Sequence, residues 1–294
     1  MDKNILSLIE KKKYRQLGTG YISNAYEIEY NNNKYIILQG QISVSFKYYQ
    51  FSYNNLIFLI NNGNSYIKSV KIPCEELRLI QPSQKEDFFK NGAFMYKLIE
   101  GIVFYEKYFN KINIENITNS IAKFLIELYK IPVNKGNIEQ YKKDQINILT
   151  NNINNVKNYL NNINVEKLVS FQNEYLGYIN KFEDFHYIHG DFWQENLIIS
   201  NNYQNLIGVI DFDNFGIGDI ARDYAALFNL GFNFINKIIE KTQEIIEDKD
   251  NFIKRINIYI KFIIIGCFSF LYINNKDSKN IEKQLKLLKK YDLI

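Results

Sequence analysis

The chain has 294 residues, 46% of them hydrophobic and 16% aromatic, enough apolar side chain to bury a large core in one big domain or two ordinary ones. Its formal net charge of +4 is small for that length, and its Lys and Arg are scattered, which argues against a nucleic-acid partner. The opening MDKNILSLIEKKKYRQ is too charged for a signal peptide, and the most apolar stretch, residues 262–273, is too short to span a bilayer, so a cytoplasmic monomer without membrane contact is expected. Cys74 and Cys267 lie far apart in apolar contexts, which suits reduced, buried thiols.

In chain order, residues 14–38 predict strand, turn, strand: QLGTGYISNAYEIEY, the polar NNN, then KYIIL, with β-branched and aromatic residues around turn formers. A helical stretch over 53–60 follows, then strand-like pieces at 65–72 and 78–80, punctuated by Pro73 and Pro82. From Asn116 the period changes. Ile117, Ile121, Phe124, Leu125 and Leu128 recur at three- and four-residue spacing until Pro132 ends the run, the pattern of an amphipathic helix. Residues 142–160 and 165–182 continue in that manner, and helical periodicity resumes from Ala221 to Lys290. No internal repeat interrupts the pattern. The expected division is an N-terminal lobe over 1–97 and a C-terminal lobe over 98–294, as halves of one catalytic unit.

Chemistry concentrates in residues 187–227, YIHGDFWQENLIISNNYQNLIGVIDFDNFGIGDIARDYAAL. His189, Asp191 and Asn196 stand at the spacing H-x-D-x-x-x-x-N of a kinase catalytic loop. Strand-like LIIS and LIGVI flank a turn, and the second strand delivers Asp211. Phosphoryl transfer needs a carboxylate to orient the attacking hydroxyl and accept its proton, and oxygen ligands to hold Mg2+ against the phosphates. Asp191 fits the first role, Asn196 and Asp211 the second. Any one of these residues alone would read as a turn former or strand-end cap; their order and spacing after a glycine-bearing β-meander favour the chemical reading.

HGDFWQENLIIS, GVIDFDNFGIGDIARDYAAL and the hinge-like YKLIEG resemble the aminoglycoside phosphotransferase superfamily, with wording closest to its 2''-phosphotransferase branch. The likeness is dense over 189–227 and thinner over 17–128. It implies an α+β, bilobal protein-kinase-like fold with a small β-rich N-lobe and a larger, mainly helical C-lobe. It also implies Asp191 as catalytic base, Asn196 and Asp211 as Mg2+ ligands, and ATP or GTP as donor. By the same resemblance His189 braces the loop, and Asp219 and Asp223 stabilise the helix start and catalytic loop. Capping is plausible for both on independent grounds, because a carboxylate at a helix N-terminus meets free N–H groups. The role of Asp213 stays open, and Trp193 either stacks on a substrate or packs.

Gly18 and Gly20 sit in a strand-turn-strand context that lets backbone N–H groups approach phosphate. Lys97 and Ile99 are the hinge residues that by resemblance offer backbone groups to the purine. KYIILQG places Gln39 where kinases carry a phosphate-binding lysine, and FSYNNLIFLI supplies no glutamate to pair with it. Gln39 can still donate hydrogen bonds to phosphate, and Lys47 could reach in from elsewhere. Three functions remain in play: a kinase of aminoglycosides or related amino sugars, a kinase of an endogenous alcohol of the choline or hexosamine type, and a nucleotide-binding pseudokinase. The acidic residues Glu240, Glu244, Glu247, Asp248 and Asp250 either receive a polycationic acceptor or form a solvated helix face.

Overall fold

The computed structural model describes residues 8–9, 11, 13–19, 23–64, 66–67, 70, 72–73, 75–84, 87–133, 136, 138–161, 165–274 and 278–294. Two compact units interleave along the chain: one holds Met1–Leu128 and Trp193–Gly216, the other Tyr129–Phe192 and Ile217–Ile294.

The first unit is built on a five-stranded sheet of order β1-β2-β3-β5-β4, with β1 Arg15–Thr19, β2 Ser23–Tyr30, β3 Asn33–Gly40, β4 Arg78–Ile80 and β5 Ala93–Lys97. Every pairing in it is antiparallel. The β2–β3 hairpin closes through Asn31 and Asn32 at φ +50° and +59°. Two positive φ values are what a two-residue hairpin turn of matching twist requires, and asparagine tolerates them. One sheet face buries Ile28, Tyr35, Ile37, Ala93 and Met95 with Phe89, and Tyr14, Tyr30, Ile80 and Phe88 pack onto that cluster. The other face meets α1, Ser45–Asn62, whose buried residues Tyr49, Ser52, Leu56 and Leu59 recur at helical spacing. Tyr49 stacks on Phe94 with ring centroids 6.2 Å apart. Each large apolar side chain so buried stabilises the unit by about 1.5–3 kcal/mol.

α1 is longer than the sequence suggests, and the strand expected at 65–72 is absent among the described residues, of which Tyr66 and Ile67 are helical. Asn64 explains the change. Its side-chain oxygen accepts the N–H groups of both Tyr66 and Ile67 at 3.0 Å, a local turn that competes with a strand ladder. A second, three-stranded sheet joins β6 Ile102–Val103, β8 Leu197–Ile199 and β9 Leu206–Val209, and α2 Ile114–Tyr129 is amphipathic as predicted.

The second unit is mainly helical: α3 Ile138–Tyr159, α4 Glu166–Lys181, α5 Ala221–Ala226, α6 Phe232–Lys241, α7 Lys249–Ile273 and α8 Ser278–Lys290, with β7 His186–Ile188 paired to β10 Gly216–Gly218. α7 contains the apolar stretch at 262–273. At 25 residues it is long and apolar enough to cross a membrane on length and composition alone. It packs instead on α3, α5 and α8 and buries Phe252, Ile256, Tyr259, Ile260, Ile264, Ile265 and Phe268, the pattern of a core helix. Tyr175 and Phe262 lie 5.1 Å apart, Tyr175 and Tyr259 6.3 Å, fixing α4 against α7 through aromatic contacts. Cys267 is a free thiol on α7 whose pKa burial pushes up to about 11, helped by the charge of Asp191. Cys74 lies outside the described residues.

Candidate active site

The helical unit carries the loop that presents Asp191. Gly190 adopts φ +79°, a conformation that glycine reaches without a steric penalty, so the turn between His189 and Asp191 depends on that residue. The buried carboxylate of Asp223 accepts the N–H groups of His189 and Gly190, each at 2.9 Å, and the Tyr129 hydroxyl at 3.2 Å. Burial pushes the Asp223 carboxyl up to about 6, against the pull of those donors and of Arg222. His189 is fully buried and accepts the Asp191 N–H on Nδ1 at 3.3 Å. That contact ties the His189 ring to the backbone of the loop. Asp219, also fully buried, accepts the Ala221 N–H at 3.0 Å at the start of α5 and the Tyr178 hydroxyl, and faces Arg255 at 3.6 Å. Arg222 is held between elements by Gln145, 3.1 Å away. Burial opposes its charge, and Tyr141, Tyr175, Tyr259 and Asp191 outweigh that opposition.

The β-rich unit carries the rest of the motif. Trp193 is half-buried and opens a tight turn over Gln194–Asn196, its carbonyl accepting the Asn196 N–H at 2.9 Å. The Asn196 carbonyl in turn accepts the Ile210 N–H at 2.9 Å, which ties the residue before Asp211 to the loop holding Asn196. A cavity of about 270 Å3 within this unit collects Asn196, Ile210, Asp211, Phe212 and Asp213 opposite Leu38, Phe94 and Tyr96 of the sheet and Tyr49, Ser52 and Leu56 of α1.

Asp211 stands in the left-handed region, φ +67° and ψ +66°. A non-glycine residue there carries strain of about 1–2 kcal/mol and persists only where its surroundings enforce it. Loss of hydration and then the charge of Asp213 push the Asp211 carboxyl up to about 7, while a backbone N–H of Asp213 pulls the other way. Two crowded carboxylates beside an asparagine amide favour a hard cation, which relieves their repulsion. Among the described residues no cluster of three or more His, Cys, Asp or Glu is present. A cation bound here would therefore keep coordination positions for waters or phosphate oxygens, as Mg2+ commonly does. Asn196 and Asp211 fit that group.

The Gln39 side chain is engaged within the β-rich unit. Its Nε2 donates to the Phe88 carbonyl at 2.9 Å and its Oε1 accepts from Asn24 and from the Tyr26 hydroxyl, both at 3.2 Å. Those bonds lie on the sheet face that carries Phe88 and Ile37, and Leu38 lines the cavity. Side chains alternate faces along a strand, so a shift of one residue reverses the assignment. On α1 the cavity is lined by Tyr49, Ser52 and Leu56. Lys47 is exposed over the Phe51 ring at 5.8 Å and does not line the cavity.

Gly18 lies at a register shift between β1 and β2, and a Cβ built there would meet nothing within 4 Å; Gly20 lies outside the described residues. At the hinge, the Lys97 N–H donates to the Glu75 carbonyl at 3.0 Å and the Leu98 N–H to the Lys34 carbonyl at 2.8 Å. Among the described residues the Ile99 N–H has no such partner. The Lys97 ammonium pairs with Glu75 at 2.9 Å. Sequence reasoning missed Tyr49, Ser52 and Asn55, whose only signal is their spacing on one face of α1.

Residues 70–242 match the model of the phosphotransferase enzyme family, and the chain belongs to that family. Its fold is α+β and kinase-like, with a sheet-bearing N-terminal region and a helical C-terminal part, as in solved aminoglycoside phosphotransferases. A GDP complex of an aminoglycoside 2'-phosphotransferase-IIIa mutant superposes with a TM-score of 0.75 at 17% identity, covering 99% of this chain and 97% of that one. A GDP and kanamycin complex of a 2''-phosphotransferase gives 0.72 at 16% identity, covering 98% of each chain. An ADP-bound 2''-phosphotransferase-Ib gives 0.70 at 18% identity, covering 99% and 98%. No curated protein matches the chain.

Proposed function

We propose that this chain is a small-molecule kinase that transfers the terminal phosphate of ATP or GTP to a hydroxyl of an aminoglycoside or related amino sugar. The observation that carries the reading is Asp211, strained into the left-handed region in the cavity that also holds Asn196. Asp191 is assigned as the base. It accepts the proton of the acceptor hydroxyl, whose oxygen bonds to the terminal phosphorus as the bond to the bridging oxygen breaks and the nucleoside diphosphate leaves. Asn196 and Asp211 would hold Mg2+, which when bound supplies positive charge to the phosphates. The open backbone at Gly18 and the Ile99 N–H suit phosphate and purine contacts, and Lys97 would contribute through its carbonyl. On this assignment residues 1–97 are the nucleotide-binding lobe and 98–294 the catalytic and substrate-binding lobe.

A pseudokinase is the second reading, and one observation favours it: among the described residues none that lines the cavity is cationic, Leu38 standing on β3 and Ser52 on α1. Loss of one electrostatic group costs about 3–4 kcal/mol of transition-state stabilisation, which slows a kinase without removing its base. Expression in an aminoglycoside-susceptible host tests the acceptor. Raised resistance with the wild type, and none with Asp191→Ala at equal expression, is the expected result. Unchanged susceptibility, with turnover on choline or a hexosamine, would move the acceptor to an endogenous alcohol.

A further inference from the structure

We propose that Ser52 and Asn55 are positioning residues that clasp the 211–213 turn to α1, standing in for the lysine–glutamate ion pair that other kinases use to organise this region. The inference rests on the reading of Asp211 as a metal ligand.

Three observations converge on it. Ser52 is 4% exposed on a buried helix face that it shares with Ser45, Tyr49, Leu56 and Leu59. A buried hydroxyl left without a partner is costly, and this one donates to the carboxylate of Asp213. One turn further along, Asn55 Nδ2 donates to the Phe212 carbonyl at 2.7 Å, so the helix grips main chain as well as side chain. The gripped residues directly follow Asp211 and its left-handed backbone, and the residue before it is tied to Asn196 by the Ile210 N–H. Asp211 is thus held on both sides. Relaxation of either clasp bond frees the peptide after Asp211 to rotate, and its carboxylate turns away from Asn196.

A neutral clasp has a chemical consequence. An ion pair would add a lysine charge beside the phosphates, whereas hydroxyl and amide donors set geometry and leave charge neutralisation to the cation. The clasp residues therefore act on metal affinity more than on nucleotide affinity.

The test uses the full chain with Ser52→Ala, Asn55→Ala, the conservative Ser52→Thr, and Asp211→Ala as reference. Mn2+ binding in the presence of ADP is read by electron paramagnetic resonance, ADP binding without metal by calorimetry, and folding by thermal unfolding. Ser52→Ala and Asn55→Ala are expected to weaken Mn2+ binding about tenfold each, the loss of one hydrogen bond of ordinary strength. Metal-free ADP affinity stays within about twofold, and Ser52→Thr restores most of the loss. If Ser52→Ala fails to fold, Ser52→Cys, close in shape and a weak donor, takes its place. Mn2+ affinity like the wild type's in both clasp variants, with loss in Asp211→Ala, overturns the clasp alone. Unchanged Mn2+ affinity in Asp211→Ala overturns the functional reading, and the clasp with it.

Discussion

Asp223 reaches the loop of Asp191 through two backbone N–H groups and also accepts the Tyr129 hydroxyl, all inside the helical unit. Asp223→Ala would leave those donors buried and unpaired, at about 1–3 kcal/mol for each. Denaturant unfolding of that variant is expected to show a loss of about 3 kcal/mol or more, larger than for an exposed carboxylate. A second residue-scale prediction concerns His186. Its Nε2 lies 2.9 Å from Asp184, and that hydrogen bond raises the His186 pKa above 6.5 while the same contact lowers that of Asp184 below 3.8. A raised folded-state histidine stabilises fully below its unfolded pKa and loses its contribution as pH rises through the folded value; a lowered aspartate loses its contribution as pH falls through its own. The pair therefore stabilises between about pH 4 and pH 6.5 by about 0.5 kcal/mol, a figure set by its partial exposure. Thermal unfolding of His186→Gln against wild type should differ by a pH-dependent part that vanishes above the raised histidine pKa. The motif that joins Asp191, Asn196 and Asp211 was legible in sequence because it is a local spacing. The bonds of Ser52 and Asn55 were not, because their partners Asp213 and Phe212 lie far along the chain, nor was the sheet face that Gln39 takes, because a strand reverses faces with every residue.

Elements with a strong period or a strong turn emerged in the structure where the sequence placed them. The Asn-rich hairpin, the helix from Ile114 and the strands on either side of the Tyr203 turn each carry their own local signal. Among the described residues of 65–72 the expected strand is absent, because the apolar residues carry no period that outweighs the cap made by Asn64. The start of α7 shows the same principle in the opposite direction. Asp248 accepts the Asn251 N–H at 3.0 Å, satisfying one of the free donors of a first helical turn. Asp248→Ala is expected to lower stability by about 1 kcal/mol, read by chemical denaturation. It also bears on the acidic run: Asp248 caps α7, and Glu244 pairs with Lys130 at 3.0 Å. At least these two residues have structural partners already, which limits what can be assigned to a cationic acceptor.

At the scale of the molecule, the family match over 70–242 runs through both compact units, and the motif residues divide between them, with Asp191 in the helical unit and Asn196 and Asp211 in the β-rich one. The catalytic-loop pattern was readable because it is short and contiguous; the acceptor was not, because acceptor contacts depend on side chains whose identity no local pattern fixes. The most direct measurement is magnesium-dependent nucleotide turnover by purified wild type and Asp191→Ala, with and without aminoglycosides, amino sugars and choline. Turnover stimulated by one acceptor class and reduced about 10²–10⁴-fold in the variant, the usual worth of a general base, is the predicted result. Nucleotide binding without turnover in the wild type, or turnover undiminished in Asp191→Ala, would contradict the account.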